Sequence, residues 1–358
     1  MSANDQTQMT ALAQASAAAH PVPDRGHVNY YTSDGELQSL LALYLPADLH
    51  AHLQPYFERM GELAGGAVDD WALEADRNPP TLEMRSRAGK EQQRIVKHPA
   101  YVEMEKIAFQ QFGLAAISHR EDMLGWKGKM PPIVKYALTY LFVQSEFGLC
   151  CPLTRTLKKY GAPELVDKYL PKLLAMDFDS GVQGSMFMTE QAAGSDIANT
   201  LTMAYPQEDG TWRLYGEKWF CSNPDAGFGM VLARVDGGPP GMKGISLFLL
   251  PRIKDDGSTN HYHIVRLKDK MGTRSMASGE IRMEGAVAYL VGDPDAGFRQ
   301  MADMVNNSRL SNGVRAAGLM RRALTESLFI AHRRIAFGRR LIDMPLMRRQ
   351  IAKMMLPA

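Results

Sequence analysis

The sequence predicts an α+β fold: an N-terminal α-helical domain, a central antiparallel β domain, and the start of a C-terminal helical bundle. Three observations predict it. Apolar residues recur every three or four positions across 46–180, the helical period. Between 181 and 292 the apolar runs become short, alternating and rich in β-branched and aromatic residues, with Gly, Pro, Asn and Asp between them. From 297 a helical stripe returns, through Leu310, Val314, Ala317, Met320, Leu324, Leu328, Ala331 and Ile335. The boundaries that follow are a mobile tail over 1–28, a helical domain over 29–180, a β domain over 181–293 and an incomplete helical domain over 294–358.

Each element has a local reason. The segment from Asn29 to Gly35 is turn-rich, and Ser33 or Asp34 caps a helix carrying Leu37, Leu40 and Leu41. Pro46 opens a helix with Leu49, Leu53, Phe57 and Met60 on one face. A helix over 69–80 stops at Asn78-Pro79-Pro80. After a polar loop, 99–124 reads as one helix, 131–150 as a long apolar helix ended by Gly148-Leu149-Cys150-Cys151-Pro152, and 153–160 as another. Strands are predicted over 200–205, 211–215, 230–235, 245–250, 261–267 and 279–283, in a barrel or a sandwich. Residues 236–244 and 254–260 are the hairpin loops. A helix of unusual length spans 297–336 and stops at Phe337-Gly338, with Gly as the residue past its end. A last helix starts near Pro345.

Composition narrows the class. At 358 residues, 45% hydrophobic and 22% charged, the chain predicts a soluble globular protein of two or three domains. Three cysteines, two of them adjacent, predict reduced thiols and a cytoplasmic location, with Cys150 and Cys151 as buried small apolar residues. No C-x-x-C or H-E-x-x-H spacing suggests a metal, and no 18-residue apolar run predicts a membrane span. The first basic side chain is Arg25, so the N-terminus does not read as a signal peptide; residues 9–20 are able to form a frayed helix. Charge is uneven. From Arg299 onward there are 12 basic and 3 acidic residues, against 29 and 36 before it. This implies either a polyanionic or acidic partner, or a helix face whose acidic neighbours lie elsewhere in the fold.

Two short runs carry the chemistry. Met186-Phe187-Met188-Thr189-Glu190-Gln191-Ala192-Ala193-Gly194-Ser195-Asp196 is an apolar strand followed by a loop of small residues. Such a loop is either a plain turn or a place where a ligand approaches the backbone, with Thr189 and Ser195 adding hydroxyls. About 25 residues later comes Lys218-Trp219-Phe220-Cys221-Ser222-Asn223, where the Phe220 ring and the Ser222 hydroxyl share one strand face.

The order T-E-x-x-A-G-S-D, then G-E-K-W-F-C-S-N, resembles the flavin-binding middle domain of the acyl-CoA dehydrogenase family. The opening N-x-x-x-S-D-x-x-L from Asn29 is similar to the start of AidB-like proteins, the adaptive-response branch. Leu267-Lys268-Asp269-Lys270-Met271-Gly272-Thr273-Arg274-Ser275 resembles the family's D-K-x-G-x-R-x-S segment. The resemblance covers about residues 29–356. It implies FAD as cofactor, with Met186, Phe187, Met188 and Thr189 along the isoalloxazine and Thr189 bonding its pyrimidine edge. Ser195 would meet the FAD pyrophosphate or the CoA chain. Phe220 stands where many members pack a Trp on the ring, Ser222 where a Thr hydroxyl approaches N5, and Cys221 lies between them. Arg309 aligns near the substrate cavity. Arg334 and Phe337, in R-x-x-F-G, align with residues that bind the adenine-diphosphate half of FAD in a neighbouring subunit, which implies a homo-oligomer.

The implied reaction is α,β-dehydrogenation of an acyl-CoA thioester. A carboxylate removes the α-proton and the β-hydride goes to flavin N5. The family's usual base lies late in the C-terminal bundle and has no counterpart before residue 358. Glu326 does not match its position, so no catalytic residue is assigned and the chain reads as C-terminally truncated. Gln191-Ala192 in place of Pro-Gly, and Phe220 in place of Trp, both resemble the AidB-like branch. They keep an alternative open: a flavoprotein of the DNA alkylation response that binds nucleic acid, or a non-catalytic fragment.

Overall fold

The computed structural model describes residues 22–146, 148 and 153–358. The adjacent pair Cys150 and Cys151, and residues 1–21 of the predicted tail, lie outside the described residues.

The helical domain opens with α1 (Gly35–Tyr44), α2 (Ala47–Ala64) and α3 (Ala67–Arg77). The sequence motif before α1 is spent on its start. Asn29 Oδ1 accepts the Tyr31 and Thr32 amides, and Asp34 caps α1 by accepting the Leu37 amide at 3.0 Å. The predicted polar loop is in fact a hairpin, β1 (Thr81–Arg85) and β2 (Glu91–Val96). Its polar composition hid it, since only one register faces a core. Ile95 packs into the β-domain core and Gln93 Oε1 accepts the Ile264 amide at 2.6 Å.

Two predicted helices are shorter than expected. The first runs through α4 (Pro99–Glu105) and one π-helical turn to Gln111. It stops because Gly113 takes φ +59°, a left-handed conformation no helix continues through. The second, α5 (Pro132–Phe142), ends eight residues early. Its chain turns so that the Ser145 hydroxyl reaches the Ala64 carbonyl at 2.8 Å and Glu146 reaches Ser275 of the β domain at 3.1 Å. Both the helix and the turn face apolar core, so periodicity alone could not separate them. Helices α6 (Leu153–Tyr160) and α7 (Pro163–Leu173) complete the domain.

Seven strands form the β domain: β3 (Gly184–Phe187), β4 (Met203–Pro206), β5 (Trp212–Ser222), β6 (Phe228–Val235), β7 (Ile245–Pro251), β8 (Tyr262–Leu267) and β9 (Ser278–Val291). Pairings run β6–β4–β5–β9–β7 and return to β6, which closes a barrel, with β3 beside β6 and β8 beside β9. The sheet is not purely antiparallel. Strand β6 pairs in parallel with both β3 and β4. Ala204, Leu214, Val231, Phe248, Ile281 and their neighbours fill the interior. A second cluster, with Leu153, Tyr169, Met230, Leu247, Met301 and Met304, joins the outer barrel wall to α6, α7 and the next helix.

That helix, α8 (Gly297–Arg333), is 37 residues long. A Cβ at Gly318 would meet Val143 and the Tyr140 carbonyl at 2.8 and 2.9 Å, so glycine is needed where α8 crosses α5. The helix ends at Arg333, before the predicted Phe337-Gly338 stop. Phe337 and Gly338 have φ +50° and +72° and instead make the two-residue turn of a small hairpin, β10 (Ile335–Ala336) and β11 (Arg339–Arg340). Helix α9 (Pro345–Met355) follows, as expected.

The uneven charge is partly resolved within the fold. Arg321 binds Asp34 at 2.9 Å and Glu36 at 2.6 Å, and Arg322 binds Asp69 at 2.8 Å and Glu326 at 2.7 Å. The predicted tail boundary also moves. The Arg25 side chain is buried against Glu326 at 2.8 Å, so the chain is held onto α8 at Arg25.

Candidate functional site

The structure brings the two chemical runs side by side. The Trp219 amide donates to the Thr189 carbonyl at 2.8 Å, and the Ser185 hydroxyl donates to the Ser222 carbonyl. The loop after Thr189 is closed by paired backbone bonds between Glu190 and Ala193, at 3.0 and 3.3 Å. Ala193 is buried, while Gln191, Ala192, Gly194 and Ser195 are exposed.

Strand alternation divides the predicted residues. Phe187 points into the barrel and meets Tyr262 edge-on at 6.5 Å. Met186 and Met188 pack against the outer cluster with Met301 and Met304. These three therefore offer a surface ligand mainly backbone. Cys221 is fully buried, and burial pushes its thiol well above the ordinary range, which makes it a core residue with an unreactive thiol. Thr189, Ser195, Phe220 and Ser222 keep their side chains at or near the surface, and Phe220 is 63% exposed. The Trp219 ring stands at 87° to Phe220, and Lys268 Nζ lies 3.8 and 4.6 Å from the two ring centres. Lys268 belongs to the D-K-x-G-x-R-x-S-like segment, which is thereby packed against the aromatic pair. Ser275 of the same segment binds Glu146, whose carboxyl burial pushes up.

Sequence reasoning missed the pair that holds this site together. Lys218 has no exposed side-chain surface and meets Glu190 at 2.7 Å. Glu190 also accepts the Thr202 hydroxyl at 2.6 Å and the Leu201 and Thr202 amides at 2.7 and 3.1 Å. Lys218 Nζ reaches the Met188 carbonyl at 3.3 Å. Burial pushes the Glu190 carboxyl up, but the Lys218 ammonium and the donated hydrogen bonds outweigh it, and the group lies below its ordinary range. Burial also pulls Lys218 down, against the carboxylate that holds its proton. A signal was present: Lys218 sits in the inward register of a strand, where a charge needs a partner.

Arg309, Arg334 and Phe337 are not brought to this surface. Arg334 and Phe337 lie on the hairpin after α8, with Phe337 99% exposed. Arg309 is exposed and donates to Asn306. The adjacent cavity of about 270 Å³ is lined from α8 by Asn307, Ser308, Ser311 and Arg315, and Arg309 is not among its lining residues. Helix geometry gives the reason: positions 307, 308, 311 and 315 share a face, and 309 turns away from it. The cavity's other walls come from 109–119, α5 and α6. Among the described residues no group of three or more His, Cys, Asp or Glu could hold a metal, and no helix is long and apolar enough to cross a membrane.

A helical domain, a β barrel carrying this paired motif, and a long returning helix define an acyl-CoA dehydrogenase fold. The chain belongs to the acyl-CoA dehydrogenase family, in its AidB-like branch: residues 21–180 match the adaptive response protein AidB N-terminal domain, 185–286 the acyl-CoA dehydrogenase middle domain and 295–358 its C-terminal domain. It is 32% identical to AidB of Escherichia coli (strain K12) over 299 residues, covering 79% of this chain and 53% of that protein. It is 28% identical to acyl-CoA dehydrogenase family member 11 of Caenorhabditis elegans over 340 residues, covering 91% and 54%. The chain thus spans about half the length of these curated relatives. Among solved structures, Bd2924 in its apo-form superposes with a TM-score of 0.85 at 32% identity, covering 93% of this chain and 68% of that one. C. elegans ACDH-11 in complex with C11-CoA superposes at 0.83 with 27% identity, covering 94% and 60%.

Proposed function

We propose that this chain carries the FAD- and acyl-CoA-binding part of an acyl-CoA dehydrogenase-like oxidoreductase. One observation carries the reading: the Trp219–Thr189 hydrogen bond aligns an exposed aromatic face with the hydroxyls of Thr189, Ser195 and Ser222. A flat ring system with a polar edge and a phosphate tail suits that surface, and the family's members are flavoproteins. Thr189 would bind the pyrimidine edge, the 186–188 backbone would run beside the ring, Phe220 would pack on it, and Ser195 would meet the phosphates or CoA. Bound there, FAD would supply the two-electron acceptor for α,β-dehydrogenation of an acyl-CoA thioester. The protein's part is orientation, and the Glu190–Lys218 pair fixes the loop that provides it.

We assign no general base within this chain. Among the described residues lining the cavity none is a carboxylate, and Glu326 is engaged by Arg25 and Arg322. Arg334 and Phe337 are proposed to reach FAD in a neighbouring subunit of a homo-oligomer, in a cytoplasmic protein.

The test is a visible spectrum of the purified protein before and after an acyl-CoA is added. Bound flavin that bleaches supports the dehydrogenase reading. Bound flavin that stays oxidised leaves a flavoprotein without this substrate, and no flavin on a folded protein defeats the cofactor assignment. Thr189→Ala and Ser222→Ala are each expected to lose FAD several-fold more readily on dilution, a loss of about 1 kcal/mol per hydrogen bond. Full flavin stoichiometry in both variants would show that the mapping is wrong. A second reading, nucleic-acid binding, is favoured by the exposed arginines at 333, 334, 339, 340, 348 and 349. Retention on duplex DNA that falls steeply between low and moderate salt would support it.

A further inference from the structure

The 267–275 segment does more than pack against the aromatic pair. With Pro79 and Pro80, just past the end of α3, it encloses a second cavity of about 230 Å³ between the helical domain and the barrel. Leu267, Met276 and the two prolines make an apolar wall. Lys268, Lys270 and Arg274 bring positive charge, and Asp269, which is exposed, brings the one carboxylate among the described lining residues.

Two of these cations have no carboxylate of their own. Glu280 serves Lys268 at 2.6 Å but is shared with Arg266 at 2.8 Å. Lys270 Nζ is held by neutral oxygens: the Met276 carbonyl at 2.6 Å and the Ser278 and Thr273 hydroxyls at 3.1 and 3.3 Å. The carboxyl in its field is Glu146, which is taken up by the Gly148 amide and the Ser275 hydroxyl. Burial pulls the Lys270 ammonium below its ordinary range, and Glu146 does not restore it, as expected of a charge without a full counter-charge. Arg274 is half-buried, and none of its donors meets an acceptor among the described residues. We infer that this cavity takes a small phosphate dianion, gripped by Arg274 in the field of Lys270.

The chemistry of the lining favours that ligand. A guanidinium presents a planar fork of donors that matches two phosphate oxygens, while an ammonium acts as a point charge. Three neutral oxygens fix Lys270 in place, so it attracts the anion by its charge and Arg274 makes the direct bonds. The Ser278 hydroxyl accepts from Lys270 and keeps its own hydrogen to donate. The volume exceeds the roughly 150 Å³ that holds a benzene, so a bound phosphate leaves room for a small organic group on the proline wall.

The phosphate has two sources: a phosphomonoester, or inorganic phosphate. Calorimetry on the full chain separates them, and it reads binding alone, so the result stands whether or not flavin binds. At about pH 7.5 a phosphomonoester is largely a dianion and a carboxylate carries one charge. Phenyl phosphate is expected to bind at least tenfold more tightly than benzoate, and Arg274→Met to remove most of that difference. Arg274 has no partner among the described residues, so this variant should keep its melting temperature. Arg274→Lys, which keeps the charge and loses the fork, should fall between the two. A preference for phenyl phosphate over inorganic phosphate assigns the site to a phosphomonoester. Equal binding of the two identifies free phosphate. Three results overturn the inference: no binding of either at millimolar concentration, benzoate bound as tightly as phenyl phosphate, or phenyl phosphate binding that both Arg274 variants leave unchanged.

Discussion

Glu190→Gln is expected to lower the free energy of unfolding by roughly 3–5 kcal/mol, the cost of leaving one buried charge without its partner. The lysine left behind has no exposed side-chain surface and keeps only neutral acceptors, the Met188 carbonyl and the new amide oxygen, in place of a carboxylate. Lys218→Met should cost less, because Glu190 retains the Thr202 hydroxyl and two amides. The double variant Glu190→Leu/Lys218→Met should recover much of the loss, since an apolar pair pays no desolvation. Urea unfolding measures all three. Single-variant losses below about 1 kcal/mol would show that the pair is not what holds strand β5 to the loop. The expectation extends to function: a loosened 190–195 loop should release flavin before the barrel unfolds, so flavin loss should precede the main transition in the Gln variant.

The second large effect is with pH. His119 has its pKa lowered to about 4 in the fold, first by burial and then by the positive charges of Lys135, Lys158 and Arg155, against about 6.5 in an unfolded chain. As pH falls, the unfolded state takes up the proton first. The contribution is therefore fully present above about 6.5 and is lost on descending toward 4. At pH 4.5 the loss amounts to at most about 2.5 kcal/mol relative to pH 7, at about 1.4 kcal/mol per unit. His119→Gln should remove that part of the acid sensitivity. The comparison is the change in unfolding free energy between pH 7 and pH 4.5 in the two proteins. Identical changes would mean that His119 does not sit in that positive, desolvated environment.

Much of this molecule was legible in its sequence because its signals are local. Helical period, strand alternation and turn chemistry located α2, α8, α9 and most of the barrel strands, and the two motif runs marked the residues that the fold sets side by side. Element ends were less legible where a helix and the turn after it share one apolar environment, as at Phe142, or where a left-handed residue such as Gly113 interrupts a continuing pattern. The β1–β2 hairpin escaped notice because its polar residues spend their hydrogen bonds on Ile264 and Arg252 of another domain.

The sequence by itself determined the order of the three structural parts, the family and the candidate flavin surface, since each rests on residues close together in the chain. Tertiary structure alone decided what those residues do with their charges. It paired Lys218 with Glu190 across 28 positions and Arg321 with Asp34 across 287. It turned Phe187 and Cys221 inward, and it gathered Lys135, Arg155 and Arg315 around one cavity while leaving Arg309 outside. The reason is physical: burial and Coulomb energy depend on distance in space, and a sequence records only distance along the chain.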